Sequence, residues 1–203
     1  MDKRYHKKAL LLSYFTLIYN LLEGILSIIA GVIAGSIALI GFGMDSFSES
    51  LSSIVMIWRF RSYKKMDADQ ERKIENRAIK LVGYTFFILG GYVLYEAVKK
   101  LLLQEKPEPS VMGLVIAILS LIIMPLLYVA KNKTGKRIGS MSLVADSKQT
   151  LACVFMSLSL LIGLLMNQWF GIWQADPIVG LLIVAYLFKE GFETLREGRL
   201  CSC

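Results

Sequence analysis

Apolar residues run along this chain in six long blocks separated by shorter polar stretches. A helix needs about 20 mostly apolar residues to cross a bilayer. The blocks at 9–32, 36–58, 80–98, 110–130, 140–166 and 175–195 all suit that length. The pattern predicts an all-α membrane protein, with six transmembrane helices forming a single domain over residues 1–203. Short connections favour antiparallel neighbours. Pro107 and Pro109 fall in a loop. Pro177 falls in the first turn of the sixth helix, where its missing N–H costs nothing. Pro125 lies inside the fourth helix and is predicted to kink it.

Composition supports this picture. The chain is 55% hydrophobic and 19% charged, against about 45–50% and about 25% in soluble domains. Mean hydropathy is +0.56. These values exclude a soluble enzyme, a disordered chain and a nucleic-acid-binding domain. Six crossings use roughly two-thirds of the chain and leave no room for a separate soluble domain. The basic stretch Met1–Lys8 precedes an apolar run too long for a signal peptide, and no small-residue cleavage site follows. It reads as the start of an uncleaved first helix. Segment 64–80 mixes both charge signs and reads as a solvated extension of the third helix. His6 reads as part of an exposed tail. Cys153, Cys201 and Cys203 form no disulfide framework. Cys153 reads as a small packing residue, and Cys201 and Cys203 as a free tail.

The net charge of +7 bears on orientation. Lys and Arg concentrate on the cytoplasmic side of a membrane protein. Nineteen of them fall in the N-terminal tail, the second and fourth connections (Lys131, Lys133, Lys136 and Arg137 in the latter) and the C-terminal tail. Lys99, Lys100 and Lys106 fall on the other side. The imbalance predicts a multi-pass protein of the cell (inner) membrane with both termini cytoplasmic. The basic surplus therefore reports orientation and implies no nucleic-acid partner.

Charged residues inside the apolar blocks carry the functional signal, because a charge at the bilayer centre costs at least about 2.5 kcal/mol. Asp45 and Glu49 are four apart and share one helix face. Two like charges at that spacing repel, and a bound cation or shared protons would remove the conflict. With a rise of about 1.5 Å per residue, Glu49 lies roughly 19 Å from the start of the second helix and Asp146 roughly 21 Å from the same face. Three carboxylates thus reach similar depth if the second and fifth helices pack together. Gln149 and Thr150 follow Asp146 at helical spacing and offer further oxygen ligands. Lys148 either snorkels towards the cytoplasm or pairs with a carboxylate when the site is empty. Glu23, with Asn20 one turn before it, either hydrogen-bonds within the bundle or lines a pathway. The small-residue pair Gly31 and Gly35, with Gly83, Gly90 and Gly91, predicts close helix approach. Trp58, Trp169 and Trp173 fall near predicted interfaces.

At these residues the chain resembles the cation diffusion facilitator family. Asn20, Glu23 and Gly24 match its first-helix pattern, and residues 35–40 (GSIALI) match its start of the second helix. Residues 45–49 (DSFSE) match its two metal-ligand positions, and 145–150 (ADSKQT) fall where it has its fifth-helix pair. Residues 175–177 (ADP) match its start of the sixth helix. The resemblance implies a transporter, not an enzyme, that moves a divalent metal outward by proton antiport with alternating access. It implies Asp45, Glu49 and Asp146 as ligands and proton carriers, with Gln149 or Thr150 beside them. Glu23 and Lys148 are candidates for the pathway or for proton coupling. No resident cofactor is expected: the metal is the substrate, and Mn, Fe, Co, Zn and Mg are the candidates. Zinc-transporting members carry His and Asp in the fifth helix, where Asp146 and Thr150 stand here, and Asp where Glu49 stands. Oxygen-only ligands suit manganese, magnesium or iron(II) better than soft ions. The family's C-terminal cytoplasmic domain is not expected here, so a homodimer would form through the membrane helices. The alternatives are a degenerate, non-transporting membrane protein that acts through a partner and a proton-coupled carrier of another solute.

Overall fold

The computed structural model describes residues 3–62, 84, 87–88, 90–104, 107–108 and 110–197. Within them the chain is helical: α1 (Lys3–Ala34), α2 (Ile37–Ser62), α3 (90–103), α4 (Val111–Ile138), α5 (Met141–Phe170) and α6 (Ala175–Glu197). This is an all-α membrane fold. By length and apolar content alone, α1, α4 and α5 each suffice to cross a membrane. Segment 64–80, Gly83, Lys106, Pro109, Cys201 and Cys203 lie outside the described residues.

Several helices outrun their apolar blocks. α1 begins at Lys3, so His6 is helical; it is half-buried, with its ring edge-on to Phe60 at 5.5 Å. The exposed tail expected there is thus a helix. α4 continues to Ile138 and carries Lys131, Lys133, Lys136 and Arg137, which the charge pattern assigned to a loop. Lys99 and Lys100 belong to α3. A helix does not stop where hydrocarbon ends; it stops where a residue caps it.

Those stops are legible. Gly35 and Gly139 have φ of 60° and 67°, a left-handed conformation that glycine adopts without a Cβ clash. In each case a serine follows and caps the next helix. Ser36 Oγ accepts from the Leu39 amide at 3.2 Å, and Ser140 Oγ from the Leu143 amide at 3.4 Å. The first junction has an additional clamp. Asp176, at the start of α6, accepts from Ser36 Oγ and from the Ile37 amide at 2.9 Å. A carboxylate from a distant helix thus completes the cap of α2 and ties α6 to it.

α1 pairs with α2, and α4 with α5; α1 also packs on α4, and α2 on α5. α6 packs against α2 and α5, and α3 joins it through Val93 and Ala97, which share a core cluster with Ile37 and Val184. The main apolar core, around Leu39, Phe42, Ile116, Leu160 and Ile183, lies towards the Ser36 end. A small cluster of Ala9, Met56 and Leu143 closes the Ser140 end. The buried residues between them are mostly polar. Outward-facing Leu11, Phe15, Ile18, Leu22, Leu119 and Leu126 form part of an apolar exterior, as a lipid-facing surface requires.

The close approach of α1 and α2 depends on glycine. A Cβ on Gly43 would lie 2.8 Å from the Gly24 carbonyl oxygen, and one on Gly24 would lie 3.0 Å from that of Gly43. Gly31 packs against Ile40, and Gly90 against Phe188. Two expected packing glycines do otherwise: Gly35 forms the turn, and a Cβ on Gly91 would meet nothing within 4 Å. Gly43→Val should therefore cost about 1–3 kcal/mol through overpacking. Gly91→Ala should stabilise α3 by up to about 1 kcal/mol through helix propensity. Thermal unfolding in lipid nanodiscs checks both, and equal midpoints for the two variants would contradict the packing described.

Candidate cation site

Between the two apolar clusters, four helices converge on a buried polar layer. α1 supplies Asn20, α2 supplies Asp45 and Glu49, and α4 supplies Lys131. α5 supplies Asp146, Gln149, Thr150 and Cys153. None of the eight is more than 5% exposed. The spacing explains the α5 set, because residues 146, 149, 150 and 153 lie at three- and four-residue intervals on one face.

Each carboxylate has identified neighbours. Glu49 Oε2 accepts from the Asn20 amide at 2.7 Å. Asp45 Oδ2 accepts from the Cys153 thiol at 2.8 Å. Asp146 Oδ1 accepts from Ser52 Oγ at 2.9 Å, and its Oδ2 pairs with the Lys131 ammonium at 2.8 Å. Lys131 also donates to Thr150 Oγ1 at 3.0 Å. Thr150 in turn donates to the Asp146 carbonyl oxygen at 3.2 Å. Glu49 lies within electrostatic reach of both Lys131 and Asp146. The layer thus brings together three carboxylates and the Lys131 ammonium.

Other predicted residues fall differently. Glu23 is buried one turn from Asn20, where it accepts from Tyr19 at 2.8 Å and Ser46 at 2.9 Å. It belongs to a hydrogen-bonded set of its own beside the layer. Lys148 is half-buried. The ammonium paired with Asp146 is that of Lys131. As the side chains stand, no three His, Cys, Asp or Glu groups among the described residues enclose a metal position. The carboxylates share a layer, and gathering them round an ion would require side-chain movement.

Three of these partners, Lys131, Cys153 and Ser52, are not legible as such in the sequence. Lys131 was counted with the cytoplasmic loops, yet it continues the buried stripe Ile116, Ser120, Met124, Leu127, Lys131, Thr134 along α4. That periodicity was the available signal. Cys153 was read as packing, although it follows Asp146 by seven residues and so shares its face.

A helical bundle in which four helices surround a buried acidic layer fits a membrane transport protein, and the sequence places it more closely. The chain belongs to the cation efflux family, whose transmembrane-domain model matches residues 13–200. It is 28% identical over 191 residues to an uncharacterized transporter of Methanocaldococcus jannaschii, covering 92% of this chain and 66% of that protein. It is 26% identical to transmembrane protein 163 of Xenopus laevis, covering 96% and 69%. It is 22% identical to the manganese efflux system protein MneS of Bacillus subtilis, covering 85% and 63%. The chain therefore spans about two thirds of the length of these relatives.

Truncating one member of a buried ion pair costs about 3–5 kcal/mol, because the other charge is left uncompensated. Asp146→Ala should therefore destabilise the protein on that scale. Ser52→Ala should cost only about 1 kcal/mol, the worth of one hydrogen bond. Thermal unfolding in nanodiscs measures both, and similar losses for the two variants would contradict the pairing.

Proposed function

We propose that this protein exports a divalent metal cation across the cell membrane, with protons moving in the opposite direction. Asp45, Glu49 and Asp146 bind the ion, and Gln149 and Thr150 contribute neutral oxygens. The observation that carries this reading is the convergence of three buried carboxylates at one depth, shared by α2 and α5. Such a cluster is costly in a low-dielectric bundle unless protons or cations offset it. Metal binding to carboxylates displaces protons, so alternate exposure of the layer to the two sides couples the fluxes. The name of the Bacillus subtilis relative supports a metal substrate. The oxygen-rich donor set favours manganese, iron(II) or magnesium, and Cys153 adds one sulfur at the edge of the layer.

Orientation follows the charge bias, with both termini cytoplasmic. Moving Lys131 into the bundle leaves the bias intact, because Lys133, Lys136 and Arg137 still mark the end of α4.

A second reading draws on the Lys131–Asp146 pair, which neutralises one ligand, and on the lack of an enclosed metal position among the described residues. In that reading the protein does not transport and acts through a partner. Flux separates the two. In proteoliposomes with an internal pH dye, Mn²⁺ should drive proton movement by the wild type and none by Asp45→Asn. Equal flux in that variant would remove Asp45 from the site. Metal binding without flux, with a co-purifying partner, would favour the second reading. A fluorescent protein fused after Cys203 should fluoresce, and a phosphatase inserted at Glu105 should be active. The reverse pattern would invert the topology.

A further inference from the structure

Lys131 is the least expected residue in the layer. Its side chain is 1% exposed, and its ammonium pairs with Asp146 Oδ2 at 2.8 Å and donates to Thr150 Oγ1 at 3.0 Å. Both partners are among the groups assigned to the transported ion. Folding alone gives little reason for this arrangement. A buried ion pair can be replaced by well-packed apolar residues with no loss of stability, and often with a gain. The α4 stripe that leads to Lys131 is otherwise apolar or small: Ile116, Ala117, Ser120, Met124 and Leu127. A lysine is also suited to temporary occupancy, because its compact ammonium sits on a flexible four-carbon stem.

We infer that Lys131 is a tethered cation that holds Asp146 until a divalent ion displaces it. This rests on reading the layer as the substrate site. Because the ammonium is attached to the chain, its effective concentration at Asp146 is high and independent of the solution. It therefore lowers the apparent affinity for every competing ion. A divalent ion gains two charges' worth of attraction to the carboxylates where the ammonium offers one, so the tether screens out weakly attracted monovalent ions. It also assists release, since the ammonium returns to Asp146 as the metal leaves. The empty site then never exposes all three carboxylates without a counter-charge.

The test is Mn²⁺ binding to the full chain in lipid nanodiscs, with free Mn²⁺ measured by electron paramagnetic resonance. Lys131→Gln should bind Mn²⁺ at least tenfold more tightly than the wild type, and Lys131→Arg, which keeps the charge, should stay near the wild type. A folded Lys131→Gln with unchanged or weaker binding overturns the inference. Should Lys131→Gln not fold, the comparison moves to Asp146→Asn against Asp146→Asn/Lys131→Gln. The two should bind Mn²⁺ equally, because the tether acts through Asp146. Tighter binding by the double variant would mean that Lys131 repels the ion from a distance and does not compete for Asp146, and overturns the inference. Asp45→Asn separates this idea from the reading beneath it. Loss of binding there, with Lys131→Gln unchanged, removes the tether alone. Wild-type binding by Asp45→Asn, or no binding by any variant, removes the site and the tether together.

Discussion

Three carboxylates must be kept out of lipid and supplied with partners in the middle of an apolar bundle, and much of the structure answers that demand. Each has a donor from another helix: Asn20 of α1 for Glu49, Cys153 of α5 for Asp45, and Ser52 of α2 with Lys131 of α4 for Asp146. Four helices are therefore held in register by one polar layer. The apolar clusters on either side act as lids that keep bulk solvent away from it. In such surroundings electrostatic interactions are stronger than in water. The same layer that would be a liability in a passive bundle is thus suited to binding and releasing charge.

The periphery serves the layer. Gly24 and Gly43 let α1 and α2 approach closely enough for Asn20 to reach Glu49. Asp176 clamps the first turn of α2, fixing the helix that carries two of the carboxylates. The family's motifs at 35–40 and 175–177, far apart in sequence, meet in this single cap. Gly–Ser junctions at 35–36 and 139–140 end one helix and start the next, so α2 and α5, the two helices that carry the carboxylates, begin in the same way.

Much of this was legible in the sequence. Apolar blocks locate helices because hydrocarbon demands them. Asp45 and Glu49 announce a shared face by their spacing, and depth arithmetic placed Asp146 level with Glu49. What stayed hidden depends on tertiary contact or on helix length beyond the bilayer. Lys131 looked like a loop residue because the apolar run ends near it, although α4 continues to Ile138. The role of Asp176 as a cap for another helix has no local signature. The ammonium that pairs with Asp146 is that of Lys131, and spacing within α5 says nothing about what α4 presents to it.

The central claim is that the polar layer is where a divalent cation binds and that Lys131 gives way to it. The most direct measurement is the structure of the protein with Mn²⁺, with the ion located by its anomalous scattering. The account predicts one peak bonded to oxygens of Asp45, Glu49 and Asp146, with the Lys131 ammonium withdrawn from Asp146. A peak elsewhere, or an intact Lys131–Asp146 pair in crystals saturated with Mn²⁺, would contradict it.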